Sequence, residues 1–252
     1  MKLTHKLCGA ALVAAAGVAL AIPNTTKADT MDGKGHIGFT ESSGIPTLTD
    51  NSTSTDSGGS TGTGSEITSN TTLPVTDPGE FGIISVSPLE FKTHSTLSAS
   101  QEKFDADLYD NGNNVKTSNF VIYTDKRAEA DRAKHKLSAK LTQQFQTTTG
   151  TELKGATITY KNIWINDYTN AVQPTGVALE AEVTTTSPVS FVENVKGSEN
   201  AGYGQHAVMF GETAGKADAN KSVTLDIPKA QNASVIAGDY NGVVQWNLEE
   251  TF

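Results

Sequence analysis

The sequence of 252 residues has one cysteine, few aromatic residues and no excess of basic residues. A single cysteine excludes a disulfide framework and a thiolate-rich metal site. The 28 Asp and Glu residues outnumber the 19 Lys and Arg residues, which argues against the basic surface that nucleic-acid binding requires. The 36% hydrophobic content excludes a wholly disordered chain and a multi-span membrane protein. We therefore expect a folded protein that does not bind nucleic acid.

The longest hydrophobic run lies near the N-terminus. It covers residues 7–22 and follows Lys2 and Lys6. A membrane-spanning helix needs about 20 apolar residues, whereas a short run between basic and small residues is typical of a secretory signal. We predict a signal peptide over residues 1–28, cleaved after Ala28, and a secreted mature chain without a transmembrane segment. An uncleaved membrane anchor is the alternative.

The segment that follows has few basic and few apolar residues. There is no Lys or Arg between Lys34 and Lys92, and residues 42–79 consist mainly of Ser, Thr, Gly, Asp and Asn without an aromatic residue. Such a segment buries too little apolar surface to offset the entropy lost on ordering. The sequence therefore predicts a flexible acidic tether over residues 29–79.

From residue 80 onward, short runs rich in Val, Ile, Thr, Phe and Tyr alternate with turn clusters, a pattern typical of β-strands. Seven such runs begin at Phe81, Asn119, Thr157, Val177, His206, Ser222 and Asn241. This pattern predicts one all-β domain, a sandwich or barrel, over residues 80–252. Residues 125–136 carry a competing signal, because their Ala, Glu, Lys and Arg content favours a short helix.

Strand alternation predicts which side chains share a face. Within residues 243–248, Val244, Trp246 and Leu248 lie on one face. If residues 134–141 also form a strand, one face carries His135, Leu137, Ala139 and Leu141 and the other carries Lys134, Lys136, Ser138 and Lys140.

The C-terminal segment Tyr240-Asn-Gly-Val-Val-Gln-Trp246-Asn-Leu248 resembles the distal signature of the WxL-domain cell-surface proteins of low-GC Gram-positive bacteria. That signature contains a Tyr, a Leu-Thr pair and Trp-x-Leu. Here Val-Gln replaces Leu-Thr, and Phe252 stands where a Pro is usual. Other segments similar to the family follow in the family's order: Leu89–Phe91, Val121–Arg127, Leu153–Ile158 and Val223–Pro228. The resemblance covers residues 80–252.

The resemblance implies a function and a set of site residues. It implies non-covalent attachment to the cell wall with peptidoglycan as the ligand, membrane-anchored surface proteins as partners, no catalysis and no cofactor. The family's proximal Trp-x-Leu corresponds here to His135-Lys136-Leu137, so the first motif is degenerate. The ligand-binding residues implied by the two motifs are Trp246, Leu248, Tyr240, His135, Leu137 and Lys136.

Each of these residues also has a structural interpretation. Trp246 with Leu248 offers an apolar platform for a sugar ring, or else it fills the core of a sandwich. Tyr240 suits a local hydrogen bond at a corner. The basic residues of this region either meet carboxylates and phosphates of the wall or keep a strand edge solvated; they are Arg127, Arg132, Lys134, Lys136 and Lys140.

Two other function classes are alternatives to wall binding. In a protein–protein module, Trp246 and Leu248 would dock a membrane-anchored partner. A wall hydrolase would need two carboxylates across a cleft, and no carboxylate pair lies in such a motif context. Asp105, Asp107 and Asp110 depart from the spacing of an EF-hand, and a hairpin turn at Asn111-Gly112 explains them.

Overall fold

A computed structural model describes nine segments of the chain, among which the largest spans 35 residues. They are residues 28–40, 73, 75–96, 102–110, 116–128, 134–168, 171–195, 200–211 and 219–251. Residues 1–27 of the predicted signal peptide and residues 41–72 of the predicted tether lie outside the described residues, as do Arg132 and the turn predicted at Asn111-Gly112.

The described residues form an all-β structure, which confirms the predicted fold class. The strands are β1 Ala28–Thr40, β2 Phe81–Val86, β3 Leu89–Ser95, β4 Lys103–Asp105, β5 Tyr109–Asp110, β6 Lys116–Thr117, β7 Asn119–Asp125, β8 His135–Gln146, β9 Thr157–Lys161, β10 Ile163–Asp167, β11 Glu180–Val183, β12 Val189–Asn194, β13 Gly204–Phe210, β14 Val223–Asp226 and β15 Gly238–Glu250. A 3-10 turn, Ala219–Lys221, precedes β14.

Three larger sheets surround the main hydrophobic core, and a smaller cluster of Phe120, Ala207 and Met209 lies on the second sheet. The first sheet has the strand order β12-β8-β15-β1-β3, the second β10-β13-β7-β2 and the third β11-β9-β14-β4. Each sheet contributes fully buried side chains to the core, for example Leu137, Val121 and Ile158. This arrangement buries one face of every sheet, as expected for a β-sandwich built by strand alternation.

The first strand lies inside the segment predicted to be a tether. Residues 28–39 pair with β15, and residues from Gly35 to Thr40 pair with β3. The prediction of a tether from residue 29 and of a domain from residue 80 is therefore wrong for β1. Its inward side includes Gly33 and Gly35, which are buried. Because glycine has no apolar side chain, these positions do not produce the hydrophobic alternation from which a strand is predicted.

The helix suggested for residues 125–136 is absent from both described ends of this segment. Asp125 ends β7, and β8 begins at His135; residues 129–133 lie outside the described residues. Strand pairing at Asp125 and from His135 onward overrides the helix propensity of these described residues. The alternative strand interpretation is confirmed, since His135, Leu137, Ala139 and Leu141 are all buried.

Candidate functional site

The two motif segments lie on neighbouring antiparallel strands of the first sheet. Leu137 on β8 is directly opposite Leu248 on β15, and His135 is opposite Glu250. Trp246 is opposite Ala139, whose small side chain lies beside the indole on the same side of the sheet. Segments that are more than 100 positions apart in the sequence thus form one continuous patch.

The inward side of this patch belongs to the core. Trp246 is 1% exposed, and its ring centroid lies 4.6 Å from that of Phe191, 5.8 Å from that of Tyr160 and 6.1 Å from that of Phe210. Leu248 is fully buried. The core interpretation accounts for both side chains, while their contact with a ligand stays a prediction.

Three more of the predicted site residues are also buried. Tyr240 has no exposed surface, and its hydroxyl donates a hydrogen bond to the carbonyl of Ile236 at 3.0 Å. Burial raises the pKa of the Tyr240 hydroxyl, and the hydrogen bond to the backbone only partly opposes this. His135 and Leu137 are buried as well. A ligand on the surface would not reach these side chains without a rearrangement of the sheet.

Lys136 is the exception, because it points away from the core. Its ammonium group lies 3.5 Å from a carboxylate oxygen of Glu193. It belongs to the outward side of β1, β8 and β15, which we call the motif face. The residues of the motif face are Thr30, Asp32, Lys34, Lys136, Ser138, Lys140, Gln245, Asn247 and Glu249.

Register aligns the motif face into cross-strand rows. One row joins Ser138, Asn247 and Thr30, and the next joins Lys140, Gln245 and Asp32. Ser138 is only 2% exposed. Within the second row, the Gln245 amide donates to Asp32 at 3.4 Å. The residue between Trp and Leu in the motif, Asn247, is thus central to a polar surface of amides, hydroxyls and charges of both signs.

The proximal motif adjoins a buried polar cluster formed by Asp125, Arg127, His135, Tyr123 and Glu250. The Arg127 guanidinium donates to both carboxylate oxygens of Asp125, at 2.7 and 2.8 Å, and also pairs with Glu250. Its central carbon lies 3.9 Å from the ring centroid of Phe81, a cation–π contact. Arg127 is 3% exposed, so it does not belong to the basic surface predicted for this region.

His135 takes the place of the family's proximal tryptophan within this cluster. Its Nδ1 donates to Asp125 at 3.0 Å, and its Nε2 lies 3.4 Å from the Tyr123 hydroxyl. Burial lowers the pKa of His135, although the Asp125 carboxylate opposes that shift. Burial by itself would raise the pKa of Asp125, but hydrogen bonds from Arg127 and His135 lower it. The cluster therefore holds a neutral imidazole between ionised neighbours near pH 7.

A second buried histidine was missed by the sequence analysis. His36 on β1 is 4% exposed, and its Nδ1 lies 3.0 Å from Glu90 on β3. Its Nε2 lies 3.4 Å from Asp239 on β15. The hydrogen bond that the His36 ring donates to the Glu90 carboxylate raises the pKa of His36 despite the burial of the ring. Because these residues come from three distant segments, no local sequence pattern indicates the site.

In the part of the chain that the structure describes, no group of three or more His, Cys, Asp or Glu side chains is arranged to hold a metal ion. Of the three aspartates weighed for calcium, Asp107 pairs with Lys92 at 2.8 Å and Asp105 accepts a hydrogen bond from Thr224. No helix in those segments is long and apolar enough to cross a membrane.

Comparison with protein families indicates the general function of the domain. The family model of the WxL domain, a surface cell wall-binding domain, matches residues 26–251. The chain belongs to the WxL family. The match includes β1, in agreement with its place inside the first sheet. The protein is accordingly a cell-surface protein with a wall-binding WxL domain. No curated protein and no solved structure matches the chain.

Proposed function

We propose that this WxL domain binds peptidoglycan directly and non-covalently through the motif face. The supporting observation is that the two motif strands present only their intervening residues outward, while Trp246, Leu137 and Leu248 are buried. The amides of the face and the exposed hydroxyl of Thr30 match sugar hydroxyl groups, because each can donate or accept a hydrogen bond. Lys136 and Lys140 match the carboxylates of peptide stems. The domain reaches this ligand as a secreted, non-enzymatic protein.

The test is co-sedimentation of the mature chain, beginning at Asp29, with protein-free peptidoglycan sacculi. Residues 80–252 alone would lack β1, so they are unsuitable. The variant Lys136→Glu with Lys140→Glu should bind at least about tenfold more weakly, since two charge-assisted contacts of roughly 1 kcal/mol each are replaced by repulsion.

The matched control carries Lys103→Glu with Lys116→Glu. Both lysines are exposed and lie on β4 and β6, away from the first sheet, and the change in net charge is the same. This control should bind like the wild type. Equal losses in both variants would refute the motif face as the binding surface, and wild-type chain left in the supernatant would refute direct binding to peptidoglycan.

A protein–protein module is the second candidate function, and one surface observation favours it. Tyr168, Val172 and Val195 are 44%, 38% and 56% exposed. Backbone hydrogen bonds from Tyr168 and Val172 to the segment 203–205 bring the first two together. Wall material that retains its surface proteins should capture more chain than protein-free sacculi if this module anchors the protein. The variant Tyr168→Ser with Val172→Ser should then remove that surplus, and an unchanged surplus would refute the module.

A further inference from the structure

The strand β1 is held in the fold by contacts that are distant in sequence. Its partners on β15 are roughly 200 residues away, and those on β3 are about 54 residues away. The pairing with β3 is parallel, and a parallel pair requires a long crossover connection. Residues 41–72 supply most of that connection. The attachment of β1 to its own sheet therefore passes through a long segment of chain.

The groove that β1 fills, between β15 and β3, has a shape specific to this sequence. A Cβ atom added to Gly35 would lie 2.8 Å from the Phe145 ring, and one added to Gly33 would lie 2.9 Å from Val86. Both positions are thus restricted to glycine by close packing.

The other half of the groove takes large side chains. Ile37 and Phe39 are buried, and the Phe39 ring packs edge-on against Tyr240 at 5.8 Å. A strand with two small residues followed by two large ones fits this groove, and residues 28–40 of any copy of this chain carry that pattern.

The length of the connection permits two destinations for β1. Thirty-two residues reach about 100 Å when extended, whereas a domain of this size is about 40 Å across. The strand can therefore reach its own groove or the groove of a neighbour. All contacts in the groove are the same in both cases, so only the entropy of the connection separates them.

We propose that β1 is an exchangeable strand, and that the groove between β15 and β3 also accepts residues 28–40 of a second copy of this chain. Strand addition of this kind joins molecules by main-chain hydrogen bonds and by pockets for alternate side chains. Copies held close together on a cell wall are thereby linked to one another. This inference is independent of the proposed ligand, and its test needs no wall material.

The main test uses single cysteines placed at paired positions of β1 and β15. Asp32 and Gln245 are register partners with outward side chains, and the mature chain has no cysteine of its own because Cys8 lies in the predicted signal peptide. Asp32→Cys and isotope-labelled Gln245→Cys chains are mixed, incubated and oxidised. A disulfide between the two chains, detected by mass spectrometry, reports a strand exchanged between copies.

The expected yield follows from the competition with the chain's own strand. A connection of this length gives that strand an effective concentration of about 1 mM. At roughly 0.1 mM protein, about one groove in ten should then hold a neighbour's strand, and the yield should fall in proportion on dilution.

The matched control mixes Asp32→Cys with Asn241→Cys. Asn241 also lies on β15 but pairs with His36, which places it about 13 Å from the position opposite Asp32. Exchange predicts at least about five times more heterodimer from the matched pair. Equal yields from the two mixtures would overturn the proposal.

Two further measurements make a negative result decisive. A chain with both Asp32→Cys and Gln245→Cys should form an internal disulfide, and failure to do so would overturn the register on which the proposal rests. A peptide of residues 28–40 with Asp32→Cys should become trapped on Gln245→Cys chains. The same peptide with Gly35→Val should be trapped at least about tenfold less, and equal trapping would overturn the specific fit of the groove.

Discussion

At the scale of single residues, the indole of Trp246 is the largest fully buried side chain in the described core. It contacts aromatic rings from β9, β12 and β13, so it joins the first sheet to the other two. Replacing it with Ala removes those contacts and leaves a cavity. We expect Trp246→Ala to lower the free energy of unfolding by about 3–5 kcal/mol, measured by urea denaturation.

The neighbouring Asn247→Ala variant separates stability from binding. Asn247 lies on the motif face and is only partly buried, so its replacement should change the free energy of unfolding by about 0.5 kcal/mol or less while weakening binding to sacculi.

A Trp246→Ala chain that keeps the wild-type unfolding midpoint would contradict the structural role of the indole.

His36 should stabilise the fold in acid. Its pKa is raised in the folded state, so its contribution is complete below the unfolded value of about 6.5 and disappears as the pH rises through the higher folded value. Because Glu90 and Asp239 are about a third exposed, solvent screens them and we expect about 1 kcal/mol. His36→Gln should therefore be less stable than the wild type at pH 6, and this difference should shrink by pH 9. A difference that is independent of pH would contradict the assignment.

His135 should act in the opposite direction. Burial lowers its pKa, so the folded state disfavours the protonated ring, and stability is lost as the pH falls from about 6.5 through the folded value. Asp125, whose pKa is also lowered, adds to the loss at lower pH. Urea denaturation between pH 7 and pH 5 should show a smaller loss for His135→Gln than for the wild type. Equal losses would place the acid sensitivity elsewhere.

The sequence predicted part of the site at this scale. Alternation correctly placed Trp246 and Leu248 on one face, because the period of a strand is a local property. Which face meets the core depends on the other sheets, so alternation left that question open. The contacts of His36 join distant segments, which a single sequence does not pair. Asp125, Arg127 and His135 are close in sequence, but alternation within one strand does not show that the end of β7 and the start of β8 meet.

At the scale of elements, β1 lies between two strands of the first sheet and completes it. Gly35→Val should destabilise the protein by about 1–3 kcal/mol, because the new side chain would overlap the ring of Phe145. Lys34→Val is the matched control, since Lys34 is exposed and valine suits a strand. Thermal unfolding should therefore show a clear fall in midpoint for Gly35→Val and little change for Lys34→Val. Equal midpoints would contradict the packing of β1 against Phe145.

The strands themselves were predicted to different degrees. The apolar β7 and β13 were found as short runs rich in β-branched and aromatic residues, and both are buried on nearly their whole length. The alternation of β15 was also found, since it reflects burial of one face. In contrast, β1 has glycines where a core strand usually has large residues, and composition placed it in the tether. Its glycines are needed only because Phe145 and Val86 fill the space beneath them, which is a property of the assembled sheet.

At the scale of the whole molecule, the predicted mature chain has 28 acidic and 16 basic side chains after the loss of three lysines with residues 1–28. A net charge of about −12 repels the anionic polymers that accompany peptidoglycan in many cell walls. If the motif face binds peptidoglycan itself, removal of those polymers from sacculi should leave binding unchanged or raise it by about two- to fivefold at low salt. The increase should vanish near 0.5 M salt, where the Debye length is only a few ångströms. Co-sedimentation with stripped and unstripped sacculi measures this directly. Loss of binding after stripping would instead identify the anionic polymer as the ligand, held by Lys136 and Lys140 against the repulsion of the rest of the chain.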